Sequence, residues 1–157
     1  MVIKNPAALD LPYPLFELIQ TIIEIETTVQ APLNKVWNCF TDAKHVIHWN
    51  FASDDWHCPA ATYDLRVGGQ FSATMAAKDG SMSFDLQGEF TEVNPETSLK
   101  YTLADGRKVE LEFSETASGT KVTERFEPEN MNSPELQKQG WSAILQQFKS
   151  YTETLKG

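Results

Sequence analysis

The residues best suited to acid–base chemistry cluster in one short stretch, positions 49–59. This stretch contains Asp54, Asp55 and His57 beside two tryptophans. Histidine titrates near neutral pH and a neighbouring carboxylate can select its tautomer, so His57 is a candidate general base. In the alternative interpretation the aspartates cap turns and His57 is a half-exposed loop residue. The residue pattern alone favours this alternative.

The same stretch is strongly aromatic but has neither a helical nor a strand period, so we predict a loop. Loops are usually polar and face solvent. An aromatic loop must instead cover something apolar, either the core or a cavity within it. We therefore expect Trp49 and Trp56 to close the mouth of a cavity. There a ligand or the backbone would accept hydrogen bonds from their indole N–H groups.

A further candidate is Glu124, because the residues two positions before and after it are apolar and point inward in a predicted strand. Burying an unpaired carboxylate is costly. We therefore expect a partner such as Arg66, Lys108 or His57, or a hydrated site. A strand bulge that turns Glu124 outward is the alternative. Facing a cavity, Glu124 could act as a polar anchor for a ligand or as a general base.

Metal binding and thiol chemistry are less favoured. His45 and His48 lie three residues apart on a predicted helix, but a zinc site needs three or four convergent ligands, so no metal is expected. Cys58 could pair with His57 or His48 as a nucleophile, yet no oxyanion-hole motif accompanies it. The glycine pair at 68–69 does not open a helix, so it predicts a turn and not a phosphate site. No cofactor is expected.

Composition restricts the class of protein. With 157 residues, 41% of them hydrophobic, the chain is long enough for one domain with its own core. A net charge of −9 argues against nucleic acids and anionic membranes as partners, because both require clustered basic residues. Cys39 and Cys58 do not make a disulfide framework. Early prolines interrupt any secretory signal, so the expected location is the cytoplasm.

The N-terminal region differs from the rest of the chain. Residues 1–14 carry three prolines and little pattern, and residues 15–19 could form one helical turn or a docking segment. We expect residues 1–21 to form an arm outside the domain. This arm could exchange onto a neighbouring copy and support a homodimer.

The remaining elements follow from their periods. Residues 22–29 alternate as a strand, a helix starts at Pro32, and Thr41 or Asp42 caps a second short helix that extends to about Trp49. Between Tyr63 and Pro128 the period is two, which predicts five or six antiparallel strands. A helix of some 20 residues, roughly 30 Å long, then ends the chain. A bent sheet wrapping this helix would bury both apolar faces and leave a cavity between them.

Four motifs in this order resemble the helix-grip fold of the START and birch-pollen-allergen-like superfamily. They are TVQAPLNKVW at 28–37, VGGQF at 67–71, GEFTEVNP at 88–95 and GW at 140–141. Together they resemble the branch named after activators of the Hsp90 ATPase, also described as polyketide-cyclase-like. The resemblance implies an α+β domain over residues 22–157, with a curved antiparallel sheet around the C-terminal helix and two short helices after the first strand.

The strand alternation places the candidate ligand-binding residues on the concave face of this sheet and on the helix above it. For Phe84, Val109 and Phe126, simple core packing is the better interpretation. The full set expected around a ligand is Trp49, Trp56, His57, Phe71, Met75, Phe84, Tyr101, Glu124, Phe126 and Trp141.

The favoured function is binding of a small apolar or amphipathic molecule in this cavity. Two alternatives come from the resemblance. One is a cyclase or dehydratase with His57 or Glu124 as the catalytic base. The other is a module that acts on a chaperone ATPase.

Overall fold

A computed structural model of the chain describes residues 22–156. The predicted N-terminal arm and its exchange with a neighbouring copy therefore lie outside the described residues. The described part starts with strand β1 (Ile23–Val29) and continues with two short helices, α1 (Leu33–Thr41) and α2 (Ala43–Val46). Ile23, Ile25 and Val29 are buried in β1, as a strand with one inward face requires.

Six more strands follow the short helices. They are β2 (Trp56–Tyr63), β3 (Gln70–Ala77), β4 (Ser83–Asn94), β5 (Ser98–Leu103), β6 (Lys108–Thr116) and β7 (Gly119–Phe126). Together with β1 they form one antiparallel sheet in the order β1-β7-β6-β5-β4-β3-β2. Each strand from β2 to β6 pairs with the next strand in the chain through a short connection, and β1 pairs with the other edge of β7. The sheet curls into a half-barrel.

The chain returns across the concave face in one long helix, α3 (Pro134–Thr154). Ser133 caps it by accepting a hydrogen bond from the backbone N–H of Leu136, and Pro134 occupies the first turn, where its missing N–H has no cost. Leu145 and Phe148 bury the inner side of α3 against the sheet and α1. The predicted helix-grip fold is confirmed. Within residues 22–156, no helix has the length and apolar character needed to cross a membrane.

Three local predictions were wrong. Pro32 precedes α1 as its extended cap and is not its first helical residue. The second helix ends at Val46 and continues only as turns towards Trp49. The predicted loop at 49–59 ends at Trp56, where β2 begins. The pairing of β2 with β3 is irregular between His57 and Ala60, and this irregularity breaks the alternation that would have predicted a strand.

Candidate ligand-binding site

A cavity of about 290 Å³ lies between the concave face of the sheet and the N-terminal half of α3. This volume is at the lower end of the roughly 300–1,000 Å³ typical of small-molecule sites. Eight of its nineteen lining residues are aromatic. The aromatic residues are Phe40, Trp49, Tyr63, Phe71, Phe84, Phe90, Tyr101 and Trp141.

Hydrogen bonds tie the C-terminal half of α3 to β1 and to the residue that follows it. The carboxylate of Glu153 accepts hydrogen bonds from the backbone N–H of Gln30 and from the Nζ of Lys149, both at 2.7 Å. Lys149 also donates to the carbonyl of Thr28 at 2.5 Å. These contacts hold the end of α3 on β1. The N-terminal half contacts the sheet through the ring of Trp141, which stacks on Phe126, and the cavity lies beside this contact.

One wall of the cavity is an aromatic cluster that depends on a glycine. The ring of Phe71 on β3 lies over Gly88 of β4, where a Cβ would come within 2.6 Å of the ring. In this position Phe71 contacts Tyr101 edge to face, with centroids 4.8 Å apart, and Phe90 at 5.2 Å. Tyr63 packs on Phe71 at 5.3 Å. The Phe71–Tyr101 contact is edge to face, which aromatic quadrupoles favour, and the other two ring pairs are tilted, so the wall is held by its own packing.

Glu124 is the buried acid of the cavity. It lies on β7, 6% exposed, between Ile25 of β1 and Leu111 of β6. Burial raises the pKa of the Glu124 carboxyl to about 8, so the group is mainly protonated at neutral pH. The charge of Glu124 in turn contributes to the raised pKa values of Tyr63 and Tyr101, for which burial is the larger cause. The acid and the two phenols therefore share one region of the cavity.

The basic partner expected for Glu124 is missing among residues 22–156. Arg66 pairs with Asp64 at 2.9 Å. Lys108 and His57 are both exposed, at the start of β6 and on β2. Desolvation is the single cause of the raised pKa of Glu124, so no described charge or hydrogen bond compensates its burial. A carboxyl group in this state is available to a ligand or to water.

The two loop tryptophans take different positions. Trp49 is buried, and its ring packs against Phe40 at a centroid distance of 5.1 Å and meets Phe148 edge to face at 5.0 Å. Its indole N–H donates to the carbonyl of Cys39 at 2.9 Å. It therefore forms part of the cavity wall and does not close the mouth. Trp56 is half-buried on the edge strand β2, where its ring contacts Phe84.

Other sequence candidates are divided between the cavity and its surroundings. Phe71, Met75, Tyr101 and Trp141 line the cavity. Phe84 also lines it, but the expectation that Phe84 is simple core was wrong, because it is 48% exposed at the cavity rim. Among the described residues, the cavity lining does not include Trp56, His57 or Phe126.

The position of Phe126 explains its relation to the site. Phe126 is buried and stacks against Trp141. Its strand partner Val109 is buried as well. Both residues therefore belong to the packed core and not to the cavity lining. His57 points to solvent, so of the two candidate bases Glu124 is the one in the cavity.

A polar rim, which the sequence did not predict, closes one end of the cavity. Gln137, 7% exposed, donates to the carbonyls of Glu129 and Asn132 at 3.0 and 2.8 Å. Its Oε1 accepts from the backbone N–H of Glu129 at 2.9 Å. These bonds fold the segment between β7 and α3 over the cavity, where Arg107 of the β5–β6 turn also lies. Glu129 and Asn132 follow no period. Gln137 lies on the face of α3 that carries Trp141, but it is polar, so the apolar pattern of the helix did not single it out.

His45 of α2 and His48, in the turn that follows it, both pack against Tyr151. His45 Nδ1 and the hydroxyl of Tyr151 are 2.7 Å apart, and His48 stacks on the same ring at 5.5 Å. In the part of the chain that the structure describes, no three His, Cys, Asp or Glu side chains converge as a metal site would require. Burial raises the pKa of the Cys58 thiol, whose Sγ donates to the carbonyl of Ala60 at 3.5 Å, so this cysteine is not an activated nucleophile.

Known proteins share the sequence pattern and the fold of this chain. The model of the family described as "Activator of Hsp90 ATPase homolog 1-like protein" matches residues 30–153, most of the described chain. The chain belongs to this family. No curated protein matches the sequence.

Solved structures agree with the family assignment. The solution structure of the AHSA1-like protein from Aeromonas hydrophila is 41% identical, with a TM-score of 0.81, over 85% of this chain and 92% of that one. A Cytophaga hutchinsonii protein is 50% identical, with a TM-score of 0.73, over 83% and 91% of the two chains. A Nitrosomonas europaea protein is 24% identical, with a TM-score of 0.74, over 86% and 96%, and it supports the fold alone.

Proposed function

We propose that this member of the Hsp90-ATPase-activator-like family binds a small, largely apolar molecule in the cavity beneath α3. The observation that supports the proposal most directly is the aromatic lining of a cavity of about 290 Å³ in which one buried carboxyl group has no described partner. Binding sites of this kind combine apolar walls with a few polar groups that orient the ligand.

The contacts around the cavity favour a preformed site. The Phe71–Tyr101 and Phe126–Trp141 contacts hold two of its walls. Gln137 holds the segment that closes its end. A ligand would therefore lose little affinity to ordering the protein. The ligand would enter past Phe84, whose side chain is 48% exposed at the rim.

A fluorescence experiment with matched variants tests the proposal. The uncharged probe N-phenyl-1-naphthylamine brightens when it enters an apolar site, so its titration measures binding to the full chain. Leu86→Trp fills the cavity from β4, where Leu86 belongs to the lining. Gln87→Trp is the control, because Gln87 is the next residue on the same strand and is exposed on the opposite face.

We expect the native chain and Gln87→Trp to bind the probe with equal affinity, and Leu86→Trp to bind at least tenfold more weakly. Both variants should retain the native circular dichroism spectrum. Equal binding by all three proteins would place the probe outside the cavity and contradict the proposal. An absence of probe binding by the native chain would contradict it as well.

A further inference from the structure

We propose that the polar end of the ligand is a protonated amine, which is held by Glu124 within a ring of aromatic side chains. The inference rests on the proposed function and names the chemical class of the ligand. It follows from three features of the described residues: a buried acid without a cation, aromatic side chains that line the same cavity, and the sign of the remaining charges.

The first feature is the isolation of Glu124. A buried carboxylate normally has a cationic partner or several hydrogen bonds. Residues 22–156 give Glu124 neither, although its side chain is 6% exposed and lines the cavity. Its cross-strand neighbours, Ile25 and Leu111, are apolar. A cation from a ligand would supply the missing charge from the cavity side, the one side that remains open.

The second feature is the set of rings around this acid. Tyr63 and Tyr101 both lie close enough for the charge of Glu124 to affect their phenols. Trp141 lines the cavity from the helix above. The faces of such rings are electron-rich and attract ammonium groups, especially where water is excluded. A cation in this position would interact with the carboxylate and with the rings at once.

The third feature is the charge at the rim. Arg107 and Glu129 are the other charged residues of the lining. The Nε of Arg107 donates to Asp105 at 2.8 Å, so its charge is already neutralised. The whole chain carries a net charge of −9. An anionic ligand would thus meet no unpaired cation among the described lining residues, whereas a cation is attracted at long range.

The pH dependence of binding gives this inference a characteristic signature. Glu124 has a pKa of about 8 in the free protein, so an amine that binds at neutral pH must release its proton to the buffer. Affinity should therefore rise by about tenfold per pH unit up to about pH 8 and then level off. Tyr63 and Tyr101 stay protonated throughout, because burial raises the pKa of both phenols. Glu129, at the rim, stays ionised in this range, because hydrogen bonds from the backbone N–H groups of Asn132 and Met131 outweigh its desolvation and lower the pKa of its carboxyl.

Isothermal titration calorimetry of the full chain with three probes tests the inference. The probes are 2-phenylethylamine, 2-phenylethanol and phenylacetate, which share a phenyl group and differ in charge. Titrations run at pH 6, 7 and 8 in two buffers of different ionisation enthalpy, which counts the protons released. The variant is Glu124→Gln. Glu110→Gln is the control, because it removes the same charge from the outer face of the sheet, where Glu110 pairs with Lys100.

We expect the amine to bind at least tenfold more tightly than the alcohol at pH 8, with one proton released per amine bound at pH 7 and below. Glu124→Gln should abolish this preference and the pH dependence, while Glu110→Gln retains both. A native chain that binds the alcohol as tightly as the amine, or prefers phenylacetate, would overturn the inference. So would an amine affinity that does not change with pH, a result that needs no variant.

The naphthylamine titration distinguishes a wrong amine assignment from a failure of the proposed binding function. If that probe binds in a manner that depends on position 86 and the amine shows no preference, the cavity binds ligands but the amine assignment is wrong. If neither the naphthylamine nor any of the three phenyl probes binds, the proposed function itself fails, and the inference fails with it.

Discussion

The indole ring of Trp141 lies flat on the ring of Phe126, with centroids 3.9 Å apart and planes 9° from parallel. Phe126 ends β7 and is paired on both sides, with Ile23 of β1 and Val109 of β6. This stack joins the N-terminal half of α3 to the sheet beside the cavity that Trp141 lines.

Replacing Trp141 by alanine should destabilise the fold and widen the cavity. We expect a loss of about 2–4 kcal/mol in the free energy of unfolding, because the ring is large and stacked but only half-buried. Urea denaturation followed by circular dichroism measures the loss. Trp56→Ala is the control, since Trp56 lies on an edge strand and contacts Phe84 at a centroid distance of 6.0 Å. Equal losses in the two variants would argue against a special role for the stack.

Glu124 makes stability depend on pH in an unusual direction. Its pKa is raised from 4.5 to about 8, so between these values the folded state holds a proton that the unfolded state has released. Stability therefore falls as pH rises through this window and is constant above it. Glu124→Gln should remove this slope and be more stable than the native chain at pH 9, by on the order of 3–5 kcal/mol.

Denaturation curves of the native chain and of Glu124→Gln at pH 5, 7 and 9 test this expectation. The difference between the two proteins should be small at pH 5 and grow with pH. Glu110→Gln serves as the control for a general loss of negative charge. A constant difference between the native chain and Glu124→Gln at all three pH values would mean that the buried group keeps an ordinary pKa.

The fold could be predicted from the sequence because its strands and long helix have strong periods. Alternation in β3, β5 and β6 separates inward from outward residues, and these strands bury the same face of the sheet. The edge strand β2 lacked this signal. Pro59 cannot donate to a strand ladder, and the pairing slips between His57 and Ala60, so the inward and outward sides exchange along the strand.

The candidate site was predicted only where it lies on regular elements. Alternation was enough to place Phe71 and Tyr101 on the concave face, but it could not show that Phe84 lies beyond the edge of the helix and stays half-exposed. Trp49 follows a short helix whose turns carry it into the core, which no pattern in the loop indicates. Gln137 gains its role from a loop whose path depends on tertiary contacts.

Gly88 should tolerate no side chain. A Cβ there would lie 2.6 Å from the ring of Phe71 and 2.8 Å from the carbonyl oxygen of Thr102, which belongs to the backbone and cannot move away. We expect Gly88→Ala to cost about 1–3 kcal/mol and to displace Phe71 from Tyr101. Thermal denaturation measures the cost, and near-ultraviolet circular dichroism reports the aromatic cluster. A variant as stable as the native chain would show that the cluster adjusts freely.

Gly140 should behave in the opposite way. It lies inside α3, in its second turn, and a Cβ at this position meets no atom within 4 Å. Glycine costs about 0.5–1 kcal/mol relative to alanine inside a helix, so Gly140→Ala should stabilise the chain by that amount. Ala143→Gly, one turn further along α3, is the reverse control and should destabilise. If Gly140→Ala no longer binds the naphthylamine probe, the open space beside Gly140 is part of the route by which the ligand enters.

The contact between His45 and Tyr151 should make the chain sensitive to acid. Burial lowers the pKa of the His45 imidazole. The charge of Asp42 opposes this shift, whereas the charges of Lys44 and His48 add to it. Below the ordinary histidine pKa of about 6.5 the unfolded chain therefore takes up a proton that folded His45 resists. This part of the stability is present above that pH and is lost as the pH falls through the lowered pKa of the folded state.

The variant His45→Gln keeps a polar side chain and cannot titrate, so it isolates this effect. We expect the difference in unfolding free energy between the native chain and His45→Gln to shrink as the pH is lowered from 7.5 to 5. Tyr151→Phe, which removes the hydroxyl 2.7 Å from His45, should cost about 0.5–1.5 kcal/mol at pH 7.5. His57→Gln is the control, because His57 is exposed. If His57→Gln changes the acid sensitivity as much as His45→Gln does, the effect does not come from the contact between α2 and α3.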